Sequence, residues 1–161
     1  MAKVKRPIRQ VQGRRAVKKV LKSRVVSEPA VKLQENRDDV PRTRIRIIGI
    51  GGGGGNIVSE IAKDVSRIDF VGANTDLQAL KTLSKNVKRF LFGEDFTHGL
   101  GCGMDAAKGE EAARIDNERI KNIMQGQDIC ILVASLGGGT GSGAVPVFAE
   151  VSRELKNLTL G

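Results

Sequence analysis

Five glycines fall within the seven residues Gly137-Gly138-Gly139-Thr140-Gly141-Ser142-Gly143. This stretch limits the fold more than any other, because of what lies on either side. The apolar run Ile129-Cys130-Ile131-Leu132-Val133-Ala134 comes before it and reads as a buried strand. A segment with helical spacing, Ala144 to about Leu155, comes after. A flexible Gly/Ser linker is not bounded in this way. Strand, glycine turn and helix start together make an anion site. Without Cβ atoms the backbone N–H groups can approach an anion, and the helix start adds unpaired N–H groups and the positive end of its dipole.

The same unit recurs along the chain. Arg44-Ile45-Arg46-Ile47-Ile48-Gly49-Ile50 reads as a strand that becomes wholly apolar, followed by the glycine run Gly51 to Gly55 and Asn56. Helical spacing resumes with Ile57, Val58, Ile61, Ala62 and Val65. Within this βα turn Gly49, Gly51 and Gly54 satisfy G-x-G-x-x-G, which also fits a dinucleotide fold. The second strand, Ile68 to Ala73, leads into Asn74-Thr75-Asp76, so a carboxylate is available and the dinucleotide test stays open. Leu77, Leu80 and Leu83 suggest a short helix, and Val87 to Phe92 a third strand. A second glycine loop, His98 to Asp105, precedes one helix expected over about Lys108 to Gln125. Leu158-Thr159-Leu160 reads as a fifth strand. Strands alternating with helices predict an α/β fold, a Rossmann-like parallel sheet with helices on both faces.

Three glycine loops at the carboxyl ends of parallel strands converge on one crevice. A ligand that needs three sets of backbone donors is a polyphosphate. No G-x-x-x-x-G-K-[ST] is present and no lysine stands in these loops. Backbone dipoles and Mg²⁺ are therefore expected to balance the charge, with Asp76 the candidate carboxylate.

The chain's charge is unevenly spread. Residues 1–46 carry a net charge of +11, against +9 for the whole chain, so the remainder is close to neutral. Ten Lys/Arg precede the first acidic residue, Glu28. Residues 1–42 are expected to be a basic, disordered extension to a domain spanning 43–161. Val17, Val20 and Leu21 allow a short basic amphipathic helix, suited to an anionic membrane surface or to nucleic acid. An organelle transit peptide is the alternative for this segment. The chain has no Trp or Tyr, which argues against base stacking. Cys102 and Cys130 form no CxxC pair and are expected to be reduced thiols in an intracellular protein. No apolar run approaches the roughly eighteen residues a membrane span needs.

From about Arg44 to Gly161 the chain resembles the tubulin and FtsZ superfamily of GTPases, on four ordered motifs. Gly137 to Gly143 is similar to its glycine signature, and Ile48 to Asn56 looks like the first nucleotide loop of the FtsZ branch. Asn74-Thr75-Asp76-Leu77-Gln78-Ala79-Leu80 and Gly99-Leu100-Gly101-Cys102-Gly103 resemble the second and third loops. The resemblance implies a cytoplasmic GTPase at the division site that binds GTP/GDP with Mg²⁺. It also implies head-to-tail assembly into filaments and association with other division proteins.

Carried over motif by motif, Gly52, Gly53, Gly54, Gly55 and Asn56 hold the diphosphate and approach the nucleoside. Gly138, Gly139, Thr140, Gly141 and Ser142 wrap the phosphates. Asn74 and Asp76 lie near the γ-phosphate and its Mg²⁺, and turn or helix-cap roles are their structural alternative. Cys102 and Gly103 close over the γ-phosphate through backbone N–H groups. Cys102 stands where the family commonly has Ala, and Ser142 where Thr is commoner. The family's central helix, second domain and catalytic acidic loop have no counterpart in these residues, so no catalytic residue is expected in this chain. A binding-only or regulatory protein is the alternative to an active GTPase.

Overall fold

The computed structural model describes residues 42–161. The expectations for the basic segment before them lie outside the described residues. Five strands form one parallel sheet: β1 (Ile45–Ile50), β2 (Asp69–Asn74), β3 (Lys88–Leu91), β4 (Ile129–Ala134) and β5 (Leu158–Leu160), in the order β3-β2-β1-β4-β5. The helices are α1 (Gly51–Ile61), α2 (Leu77–Lys81), α3 (Glu94–Thr97), α4 (Ala106–Ile115), α5 (Asn117–Met124) and α6 (Gly139–Glu154). The expected α/β sheet is the observed one.

Successive strand residues point to opposite faces, and both faces are covered. On one side Ile47 and Phe70 pack with Val58 and Ala62 of α1 and its extension, Leu80 of α2, and Leu83 and Val87. On the other side Ile48, Ile50, Val71 and Ala73 pack with Ala112, Ala113, Ile120, Met124, Val147 and Phe148 from α4, α5 and α6. Phe92 meets Phe148 edge to face at 5.7 Å. Gly49 of β1 permits α1 to lie against the sheet, because a Cβ there would stand 2.7 Å from the Gly54 carbonyl carbon and 2.9 Å from Val58 Cγ2. Among the described residues no helix is long and apolar enough to cross a membrane.

Two expectations about helices are corrected. The helix read over 108–125 is two helices that meet at Asp116. The Asp116 backbone leaves helical geometry (φ −97°, ψ 21°). Its carboxylate accepts from the Gly93 N–H at 2.6 Å and from Arg119 at 2.7 Å. An aspartate satisfied by such partners holds a break that apolar spacing alone does not reveal. The glycine runs are also helical, since α1 begins at Gly51 and α6 at Gly139. Low propensity placed them in loops, but neighbouring packing keeps them in the first turns.

Ion pairs tie the amino-terminal strand ends together. Arg46 donates to Asp69 at 2.6 Å and also to the Ile123 carbonyl. The Asp128 carboxylate accepts from the Arg44 N–H at 2.7 Å. The Arg46 hydrogen bond, helped by Lys88, holds the Asp69 carboxyl below the usual range, and the Arg44 backbone N–H does the same for Asp128. With folded-state values below the unfolded ones, this stabilisation is complete above a pH of about 4 and is lost as pH falls through the depressed values. The melting temperature of the full chain is therefore expected to drop as pH falls below about 4. In Asp69→Asn that slope should be shallower. An identical slope in variant and parent would rule out Asp69 as a source.

Candidate functional site

Two helix starts define the site. At the end of β1, Gly51 takes φ +74° and turns the chain directly into α1. At the end of β4, Gly137 takes φ +93°, and its N–H donates to the Ser142 hydroxyl at 3.0 Å, closing the turn into α6. The first N–H groups of any helix lack intrahelical acceptors. In α2 and α4 these groups are satisfied by carboxylates: Asp76 accepts from the Gln78 and Ala79 N–H groups, and Asp105 from those of Ala107 and Lys108. Neither α1 nor α6 has a side-chain cap. Both open onto the same crevice of about 360 Å³. A crevice where two uncapped helix starts meet has the electrostatics of an anion site.

Of the residues singled out from sequence, Gly52, Gly53, Asn74, Asp76, Gly103, Gly138, Gly139, Thr140 and Gly141 line this crevice. The others are not among its lining residues. Gly54 is buried against β4, where a Cβ would stand 3.1 Å from the Val133 carbonyl carbon. Gly55 is buried facing Leu83, with a would-be Cβ 3.4 Å from Cδ2. Asn56 is exposed, a turn further along α1. Cys102 is buried, although it stands on the same loop as Gly103. Ser142 uses its hydroxyl to hold Gly137. The glycines thus fall into two groups. A Cβ on Gly52, Gly103 or Gly138 would meet nothing within 4 Å, whereas one on Gly54 would strike the sheet.

Sequence reading assigned no site role to several lining residues. Gly51, Leu100 and Gly101 belong to the quoted glycine segments, so their signal was the segment itself. Ser135 also lines the crevice, beside Gly53, and a lone serine before the loop carries no comparable signal.

The polar side chains are engaged. Asn74 Oδ1 accepts from the N–H groups of Thr75 and Asp76, at 2.9 and 3.3 Å, so Asn74 does make a turn. Asp76 Oδ1 caps α2 at 2.8 and 3.1 Å. The loop that follows α3 folds back along this turn: Leu77 N–H donates to the Gly99 carbonyl and Gly101 N–H to the Thr75 carbonyl. Behind the crevice wall, Thr75 Oγ1 lies 2.8 Å from Thr140 Oγ1 and 3.3 Å from Cys102 Sγ. Asp76 is the single charged side chain among the lining residues. Among the described residues no group of three or more His, Cys, Asp or Glu is placed to hold a metal. One carboxylate suits Mg²⁺ that takes its remaining ligands from phosphate and water.

Known proteins share this sequence family and this fold. The family model "Tubulin/FtsZ family, GTPase domain" matches residues 44–161. The cell division protein FtsZ of Coxiella burnetii is 48% identical over 118 residues, which cover 73% of this chain and 30% of that protein. FtsZ of Azotobacter vinelandii is 46% identical over 125 residues, covering 76% of this chain and 32% of that one. The chain therefore spans about a third of the length of these curated relatives. Among solved structures, an empty FtsZ dimer of M. jannaschii superposes with a TM-score of 0.70 at 30% identity, covering 89% of this chain and 38% of that one. A GTPγS-bound protofilament of CetZ2 from Haloferax volcanii gives a TM-score of 0.64 at 28% identity, covering 74% and 39%.

Proposed function

This chain belongs to the tubulin/FtsZ family of GTPases, and on that premise we propose that its crevice binds the phosphates of GTP and GDP, as part of a filament-forming protein of cell division. The observation that carries the reading is the meeting of two uncapped, glycine-built helix starts at one crevice with no cationic side chain. Backbone N–H groups of Gly52, Gly53, Gly139, Thr140 and Gly141 are the donors for phosphate oxygens. Asp76 keeps Oδ2 for Mg²⁺, which when bound offsets charge on the phosphates. Head-to-tail assembly in the cytoplasm at the division site, with other division proteins, belongs to the same reading. Its support is the cell-division relatives and the FtsZ dimer and CetZ2 protofilament that superpose on this chain.

A thermal-shift comparison of GTP, ATP and NAD in Mg²⁺ tests the ligand class. Bound ligand raises stability by RT ln(1 + [L]/Kd), about 2.7 kcal/mol at a hundredfold excess over Kd. GTP is expected to raise the melting temperature more than ATP or NAD. Selective stabilisation by NAD would overturn the nucleotide assignment.

One observation favours binding without turnover by this chain alone. The single carboxylate lining the crevice caps α2 through Oδ1 and would meet Mg²⁺ through Oδ2, which leaves no further carboxylate among the lining residues to act as general base. Phosphate release from pure protein with GTP is expected to stay at the background rate. Release well above background would reject this reading.

A further inference from the structure

We propose that Thr75 is a positioning residue for the nucleotide site, acting from behind the crevice wall through a hydroxyl chain that ends at Thr140. The inference rests on the nucleotide reading above and extends it to a residue that does not line the crevice. Thr75 is completely buried, and its hydroxyl touches two partners. Thr140 Oγ1 lies at 2.8 Å, on the first turn of α6 and on the crevice wall. Cys102 Sγ lies at 3.3 Å, on the loop that carries Gly103. The Thr75 carbonyl also accepts from the Gly101 N–H at 3.2 Å, and it lies 3.3 Å from the Thr97 hydroxyl, whose closer acceptor is the Gly93 carbonyl at 2.9 Å. One residue thus holds the second loop, the third loop and the start of α6 in register.

The chemistry of the chain gives it a direction. Each hydroxyl donates once, and a thiol is a weak donor and a weak acceptor. If Thr140 donated to Thr75, Thr75 would have to spend its proton on sulfur, and Thr140 would present only lone pairs to the crevice. An anion in the crevice selects the opposite polarity: Cys102 S–H to Thr75, Thr75 O–H to Thr140, and Thr140 O–H to the phosphate. Thr75 therefore makes Thr140 a donor, and the same bonds draw the third loop onto the crevice. Coupled in this way, phosphate binding tightens the loop, and the loop supports phosphate binding.

The test uses the full chain, with GDP and GTP as probes in Mg²⁺, and compares Thr75→Val with Thr75→Ser. Valine keeps the shape and removes the hydroxyl, and serine keeps the hydroxyl. Nucleotide affinity is expected to fall about tenfold in Thr75→Val, as for a lost buried hydrogen bond, and to stay within about threefold of the parent in Thr75→Ser. The second readout is the rate at which a thiol reagent modifies Cys102, followed by peptide mass. Because Cys102 is buried, that rate reports opening of the loop. Nucleotide should slow it at least tenfold in the parent and leave it nearly unchanged in Thr75→Val. Cys130, wholly buried in the core, is the internal reference.

Equal affinities in the parent and Thr75→Val would overturn the proposal, as would a Thr75→Ser variant as weak as Thr75→Val. Should Thr75→Val fail to fold, the parent's labelling decides: Cys102 modified at the same rate with and without bound nucleotide overturns the coupling. A parent chain that binds neither nucleotide would instead remove the nucleotide reading, and this inference with it.

Discussion

Gly143→Ala is expected to destabilise the protein by about 3 kcal/mol, a drop of roughly 10 °C in melting temperature. Local propensity predicts the opposite sign. Gly143 lies inside α6, where exchanging glycine for alanine ordinarily stabilises a helix by about 1 kcal/mol. Packing reverses this. A Cβ at Gly143 would collide with the Ala106 carbonyl oxygen and stand 2.6 Å from the Glu110 nitrogen. Both are backbone atoms of α4, so no side chain can swing aside. Gly109 of α4 is the matching close approach, with a would-be Cβ 3.0 Å from the Gly139 carbonyl carbon and 3.1 Å from Thr140 Cα. The two helices thus cross on paired glycines at the first turns of α6. Separating them moves the N–H groups of Gly139 to Gly141, so nucleotide binding should fall together with stability. Melting curves of parent and variant decide the matter. A variant that melts higher than the parent would mean that α4 and α6 do not pack this closely.

Gly143 marks a boundary between what a sequence reveals and what only the folded chain does. Strand positions were legible because β1 and β4 are apolar runs covered on both faces, and because glycine turns separate them from the helices. The phosphate character of the crevice was legible because glycine runs after strands have one common use. The roles of individual glycines were not legible. Gly54 packs on the sheet and Gly52 faces open space, although both stand in the same run of five. Only the position of the partner backbone separates them, and a sequence does not contain it. The break at Asp116 was hidden for the same reason, since the groups that satisfy it come from Gly93 and Arg119. Asn74 and Asp76 show the intermediate case. Their turn and cap roles follow from residue type and neighbours, whereas their place on the crevice depends on the return of the loop Gly99–Gly103. Thr75 lay within a quoted motif but gained a role only when Cys102 and Thr140 were found beside it.

Gly138→Val, unlike Gly143→Ala, should separate binding from stability. Gly138 caps α6 with φ −90° and ψ 162°, an extended conformation that valine adopts readily. A Cβ there meets nothing within 4 Å, and the open space is the crevice itself. Valine is a poorer helix cap than glycine, so a loss of about 1 kcal/mol in stability is expected. Its methyl groups would stand in front of the N–H groups of Gly139, Thr140 and Gly141, where a phosphate must come within about 3 Å of each donor. Since charge-assisted bonds contribute about 1.5–3 kcal/mol each, blocking two of them should weaken GTP binding by a hundredfold or more. Melting of the nucleotide-free protein and a GTP titration, run on the same preparation, measure the two effects separately. Gly52→Val provides an independent check from α1, since a Cβ at Gly52 likewise meets open space on the same crevice. If both valine variants fold and bind GTP as the parent does, phosphate does not bind at these helix starts. Loss of binding in both, with folding retained, places the anion between α1 and α6.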